Sequence, residues 1–219
     1  MVKSELKSIE EIVDMLGGYK KVLNVGCAGC ASVCLAGGQR EVKQLNTKLQ
    51  FHFKSNDIST TVDEYTVERQ CEGQFLENLK GRVEKYDAVL SMACGAGVQF
   101  VAEHFPEIPI FPALNTLFIG VNKEIGHYEE RCQACSDCVL GLTGGICPVS
   151  MCAKSLFNGP CGGPQKGGKC EVSMETDCAW VAIFERLKKQ GRLANIHKIY
   201  ETRSWKSQGQ GKLTLKEYQ

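Results

Sequence analysis

The sequence predicts an α/β chain in two parts: a half-Rossmann parallel sheet with its helices over residues 1–125, and a cysteine-rich, loop-dominated region over residues 126–219 that ends in a helix. Three observations lead there. Short apolar runs alternate with helical periodicity through the first 125 residues. That rhythm stops near residue 126, after which residues 132–178 hold eight cysteines and residues 141–168 hold eight glycines. The charge also divides, with 13 Lys+Arg against 16 Asp+Glu (net −3) in 1–125 and 13 against 9 (net +4) in 126–219.

Taken in order, KKVLNVG (20–26) reads as a short buried strand and CAGCASVCLAGGQREVKQLNTKL (27–49) as a helix with a break at Gly37–Gly38. FHFKSNDI (51–58) reads as a second strand. VERQCEGQFLENLKGRVEKY (67–86) reads as a helix presenting Val67, Cys71, Phe75, Leu76, Leu79 and Val83 on one face. DAVLSMA (87–93) is a third strand, CGAGVQFVAEHF (94–105) a third helix, and IPIFPAL (108–114) a fourth strand. This β-α-β-α-β-α-β order requires a parallel sheet with right-handed crossovers. Beyond it, CAWVAIFERLKKQ (178–190) forms a helix with Trp180, Ile183, Phe184 and Leu187 at core spacing, Thr176 or Asp177 as cap, and Gly191 after its end. From Ala182 onward there are 9 Lys+Arg against 3 Asp+Glu, so the tail is either a solvated basic segment or an arm lying on a partner.

Bulk composition excludes several classes. With 43% hydrophobic and 23% charged residues the chain is globular, and a net charge of +1 offers no overall attraction to nucleic acid or an anionic membrane. The N-terminal MVKSELKSIEEIVDML lacks the apolar core of a signal peptide, and PIFPALNTLFIGV (109–121) is too short and too interrupted to span a bilayer. The expectation is a cytoplasmic protein with no membrane span.

Thirteen cysteines in a reducing compartment do not make a disulfide framework, and thirteen spectator thiols are too many. Soft thiolates in such number select zinc or iron-sulfur clusters. In the first half, Cys27 and Cys30 follow the first strand, Cys34 lies one turn beyond, Cys71 falls after the second strand and Cys94 after the third. In open parallel sheets these loops border the binding crevice. Four of the five would complete a cubane, with Cys34 the spare. The glycines of GAG (95–97) read as room for close backbone approach to a bulky cluster, since the third glycine of a dinucleotide fingerprint is replaced by Phe100.

In the second half, Cys132, Cys135 and Cys138 form C-x-x-C-x-x-C, and Cys147 precedes Pro148. Three close thiolates with a proline-flanked fourth match ferredoxin spacing better than the paired knuckles of zinc. The fourth ligand is Cys147 or a later residue such as Cys178, whose place at a helix start favours a thiolate. Cys152, Cys161 and Cys170 are further candidate metal ligands. GPQKGGKC (163–170) resembles a P-loop only superficially, because Cys170 stands where the hydroxyl is needed and no strand or helix flanks it. The four histidines, His52, His104, His127 and His197, are scattered and make no catalytic constellation.

GGICPVSMCAKSLFNGPCGGPQKGGKCEV with the following DCAW resembles the cysteine-rich domain associated with the C-terminal region of methylenetetrahydrofolate reductases. NVGCAGCASVCLAGG and SMACGAGVQFVAE are similar to the small iron-sulfur subunit of the two-subunit enzymes of acetogenic and related anaerobic bacteria. The resemblance implies a non-catalytic electron-transfer subunit with two 4Fe-4S clusters. It implies a partner carrying FMN or FAD that reduces 5,10-methylenetetrahydrofolate to 5-methyltetrahydrofolate, and a donor such as ferredoxin or an NADH-linked module. Two alternatives stand beside it. One is a structural zinc-binding accessory subunit, with a mixed case in which zinc occupies only the second domain. The other is a stand-alone thiol or corrinoid-linked enzyme.

Overall fold

Six consecutive residues, Val22 to Cys27, are buried, as only the middle of a sheet covered on both faces allows. They belong to the second strand of a computed structural model that describes residues 1–201 and 211–218. In chain order the first unit, Met1–Glu129, contains β1 (Val2–Leu6), α1 (Ile9–Met15), β2 (Lys21–Cys27), α2 (Cys30–Val33), α3 (Gln39–Ser55), β3 (Thr61–Val67), α4 (Gly73–Leu76), β4 (Ala88–Met92), α5 (Gly95–His104), β5 (Ile110–Pro112) and β6 (Leu114–Glu124). β7 (His127–Cys132) crosses into the second unit, Glu130–Gln219, which adds α6 (Pro148–Met151) and α7 (Ala179–Lys189).

Four strands form a parallel sheet in the order β3-β2-β4-β5. The chain moves from β2 outward to β3, then crosses back to β4, so the order reverses between β2 and β4. Ligands of open α/β sheets sit outside the carboxyl ends of strands at such a reversal. One apolar cluster, built on Val22, Leu45, Leu49, Leu90 and Met92, includes residues of α1 and α3; another, built on Leu23, Val25, Leu76, Leu79, Val89 and Val101, includes residues of α4 and α5.

Two expected elements are corrected. FHFKSNDI is not a strand: α3 runs to Ser55, and Val42, Leu45, Asn46, Leu49 and Phe53 are buried at helical spacing while Phe51 is 75% exposed. The aromatic, strand-like look of the segment yields to the helical period of the residues before it. The neighbouring strand is instead β3, whose TVDEYTV occupies the loop and helix start of the expected pattern. The helix expected over 67–86 shrinks to α4 and two 3-10 turns, Glu77–Leu79 and Val83–Lys85, because Gly81 adopts φ +67, outside any right-handed helix. Its apolar face nonetheless stays buried at Leu76, Leu79 and Val83. The break at Gly37–Gly38 is present, and its cause is close approach: a Cβ on Gly37 would lie 2.0 Å from the Met92 carbonyl oxygen.

A second sheet, β1-β6-β7, was absent from the sequence reading. β1 pairs antiparallel with β6 from Val2↔Ile119 to Leu6↔Leu114. The apolar stretch at 109–121 thus supplies β5 and most of β6.

In the second unit α7 buries Trp180, Ile183 and Leu187. Phe184, expected in the core, is 37% exposed, on the outer side of the helix. The cap also differs: Cys178 itself occupies the N-cap position, with no side-chain bond, and Asp177 pairs with Lys169 at 2.6 Å. Gly191, at φ +65, follows the helix end as expected. Of the basic tail, residues 202–210 and 219 lie outside the described residues.

Candidate metal centres

At the sheet reversal, β2 ends at Cys27 and a two-residue turn leads to Cys30, the first residue of α2. Cys71 sits in the turn between β3 and α4, and Cys94 is the N-cap of α5, two residues past β4. Cys71 is exposed as a residue, yet partial burial of its thiol pushes its pKa above the usual cysteine value, and the charges of Cys94, Cys27 and Cys30 push it further. The strand register agrees: Cys27 stands opposite Val67 and Gly26 opposite Met92, so the loops after β2, β3 and β4 leave the sheet at one edge. Three loops therefore bring four thiols to one crevice.

Cys34 does not join them. It is 2% exposed within the apolar core, and its Sγ donates to the Cys30 carbonyl at 2.9 Å and lies 3.5 Å from the Val2 carbonyl. A thiol bonded back to residue i−4 behaves as a small core side chain.

The Cys71 turn is held by a residue that sequence reasoning passed over. Gln70 is fully buried, donates through Nε2 to the Val25 carbonyl at 2.8 Å, and accepts from Ser91 Oγ at 2.6 Å. It ties the loop after β3 to both β2 and β4. No signal in the sequence marks it, because both its burial and its polar partners come from the folded sheet. Gly97 serves this residue: a Cβ there would lie 3.0 Å from the Gln70 Cβ and 2.8 Å from that of Ala93. The glycine expected to admit a cluster thus admits Gln70, and Gly95 instead donates its N–H to Thr116 Oγ1 at 2.8 Å.

In the second unit, Cys132, Cys135, Cys138 and Cys147 line one cavity of about 300 Å³. The Ala134 N–H donates to Cys132 Sγ at 3.3 Å. Ala134 and Ser136 hold left-handed φ values of +50 and +60, so two side-chain-bearing residues in this short turn carry backbone strain of about 1–3 kcal/mol each. Strain of this kind persists where a turn must aim particular side chains. Cys132 and Cys138 are exposed, which places this group near the surface.

The remaining four, Cys152, Cys161, Cys170 and Cys178, line a different and much smaller cavity of about 10 Å³. Cys147 and Cys178 also border a third space of about 390 Å³ together with Arg131 and Arg186. Cys178 is assigned to the small cavity because its backbone N–H donates to the Gly168 carbonyl at 2.8 Å, which fixes it beside the turn that carries Cys170. Twelve of the thirteen cysteines thus fall into three groups of four. Among the described residues no three Cys, His, Asp or Glu side chains already stand in ion-ligating geometry.

GPQKGGKC forms a tight turn, with Gln165 bridging Lys169 and neither strand nor helix on either side, so the phosphate-loop reading stays rejected. No helix among the described residues is long and apolar enough to cross a membrane.

Residues 111–206 match the family model described as methylene-tetrahydrofolate reductase C terminal. No curated protein and no solved structure matches the chain. The matched segment contains all eight cysteines of the second unit and none of those at the sheet reversal. Residues 111–206 are thus similar to the methylene-tetrahydrofolate reductase C-terminal family, and the residues before them lie outside that match.

Proposed function

We propose that the chain is the electron-transfer subunit of a methylenetetrahydrofolate reductase complex. It would hold one 4Fe-4S cluster on Cys27, Cys30, Cys71 and Cys94 and a second on Cys132, Cys135, Cys138 and Cys147. Electrons from ferredoxin or an NADH-linked module would pass to a flavin on a separate subunit, which reduces 5,10-methylenetetrahydrofolate to 5-methyltetrahydrofolate. The observation that carries this reading is that the loops bearing Cys27, Cys30, Cys71 and Cys94 leave one edge of the parallel sheet, in a chain whose residues 111–206 match the reductase family. Bound clusters supply one-electron storage, which bridges single-electron donors and a two-electron flavin.

The chain's own residues prepare both sites. The N-terminus of α5, capped by Cys94, directs its partial positive charge at the thiolates. Gln70 keeps the Cys71 turn in place. The Ala134 N–H donates to Cys132 Sγ and so fixes where that sulfur sits in its turn. The 300 Å³ cavity is spacious enough for a multi-atom cluster.

Anaerobic co-purification with a flavin subunit tests the reading. The expected result is about eight iron and eight labile sulfide per chain, with folate reduction only when both subunits are present. Cys71→Ser should remove about half of the iron, whereas Cys34→Ala should leave it unchanged. A folded chain without labile sulfide overturns the proposal, and stoichiometric zinc in its place favours a structural accessory role.

A further inference from the structure

Cys152, Cys161, Cys170 and Cys178 are separated by eight, eight and seven residues, so no C-x-x-C knuckle marks them. The fold brings them together differently. Cys152 ends α6, Cys178 begins α7, and the 25 residues between contain only turns and two isolated bridges, Gln165↔Lys169 and Lys169↔Asp177. Cys170 donates its N–H to the Thr176 carbonyl at 2.9 Å, which closes the turn carrying Cys170 back toward Cys178. The Gly163 N–H donates to Cys161 Sγ at 3.4 Å, which fixes the position of that sulfur in its turn.

This segment has little else to hold it. Gly159, Gly162, Gly167, Gly168 and Ser155 all adopt left-handed φ, and among the described residues the apolar cluster of this unit is the small one around Trp180, Ile183 and Leu187. Ordering so many residues against so small a core needs a cross-link. Disulfides are one solution and a metal ion is the other; four thiols on one cavity supply the ligands of a single tetrahedral ion.

Size separates this site from its neighbour. The cavity shared by Cys132, Cys135, Cys138 and Cys147 measures about 300 Å³, whereas this one measures about 10 Å³. The larger admits a cluster of irons and sulfides; the smaller admits one ion. Trp180 walls it, 6% exposed and anchored by its Nε1–H on the Leu156 carbonyl at 2.7 Å. A closed site of four sulfurs leaves no position for substrate and is therefore structural.

We propose that Cys152, Cys161, Cys170 and Cys178 form a separate, closed tetrathiolate site for one zinc ion, which pins the turns of 153–177 to the start of α7. Binding requires deprotonation of the four thiols. The Cys161 proton, which faces Glu171 Oε1 at 3.6 Å, leaves to solvent, and Glu171 keeps its ion pair with Lys154. The site is independent of the electron-transfer reading.

The test is metal analysis of the full chain purified anaerobically with zinc supplied, for the native sequence and for Cys161→Ser and Cys170→Ser separately. One zinc per native chain is expected, with an X-ray absorption spectrum showing only sulfur neighbours at about 2.3 Å. Each variant should lose that zinc while keeping its iron and sulfide. Native protein without zinc, zinc with nitrogen or oxygen neighbours, or variants that lose iron and keep zinc would each overturn the site. Absorption on the native chain decides even if both variants fail to fold. Zinc present without iron would sustain this site and sink the electron-transfer role.

Discussion

The two units hold themselves together by different means. Of the buried hydrophobic residues among the described positions, 26 belong to the first unit and five to the second, namely Val139, Ala179, Trp180, Ile183 and Leu187. The second unit carries eight thiols in its place. A chain that buries apolar surface is stable without ligands, whereas one that spends its length on glycine turns depends on whatever those turns enclose. The comparison explains why the first unit can offer cysteines at its edge: its sheet holds together through its own apolar core, so the loops that carry them need no further support.

The largest way to break the symmetry is to remove metal. Prolonged chelation under anaerobic reducing conditions should unfold most of Glu130–Gln219 while Met1–Glu129 keeps its sheet and helices. Hydrogen exchange by mass spectrometry would show protection lost in 152–178 and retained in β2 and β4; equal loss in both units would refute the contrast. Next in size, Leu90→Ala in the middle of the parallel sheet should cost about 2–5 kcal/mol, because Leu90 is fully buried in the larger core. Thermal unfolding of the first unit should shift down, with the metal content of the second unit unchanged. The smallest effect concerns Asp87, whose carboxylate accepts from the backbone N–H groups of Lys21 at 2.8 Å and Lys20 at 3.0 Å. Those two bonds hold its pKa below the ordinary aspartate value. A carboxyl lowered on folding contributes stability above its unfolded pKa and loses it as pH falls through the folded one. Asp87→Asn should therefore lower the stability of the first unit at neutral and alkaline pH without changing its slope there, and flatten the acid limb, as denaturant unfolding across pH would read.

Where local pattern and global fold agreed, the sequence was legible. KKVLNVG and DAVLSMA are apolar on both faces and can only be central strands, and CGAGVQFVAEHF lies between turn residues that bound a helix. FHFKSNDI misled because its aromatic residues favour a strand, while the period that buries Phe53 and exposes Phe51 starts twelve residues earlier. The β1-β6 pairing was invisible for another reason: Val2 and Ile119 lie more than a hundred residues apart, and neither short segment carries a signal naming its partner. Gln70 is a polar residue between Arg69 and Cys71 in sequence, and only the approach of β2 and β4 gives it bonding partners.

The cysteines divide along the same line. Sequence alone made metal or cluster binding the expectation, put Cys27, Cys30 and Cys94 just after strands of one sheet, and grouped Cys132, Cys135 and Cys138, because these follow from residue type and short-range spacing; it put Cys71 after the wrong segment, since its strand is β3. Only the tertiary structure decided that Cys34 turns into the core, that Cys147 lies with the three, and that Cys178 shares a cavity with Cys152, Cys161 and Cys170. Grouping across loops depends on where turns close and how much space they leave, and those are properties of the folded chain and not of any one segment of it.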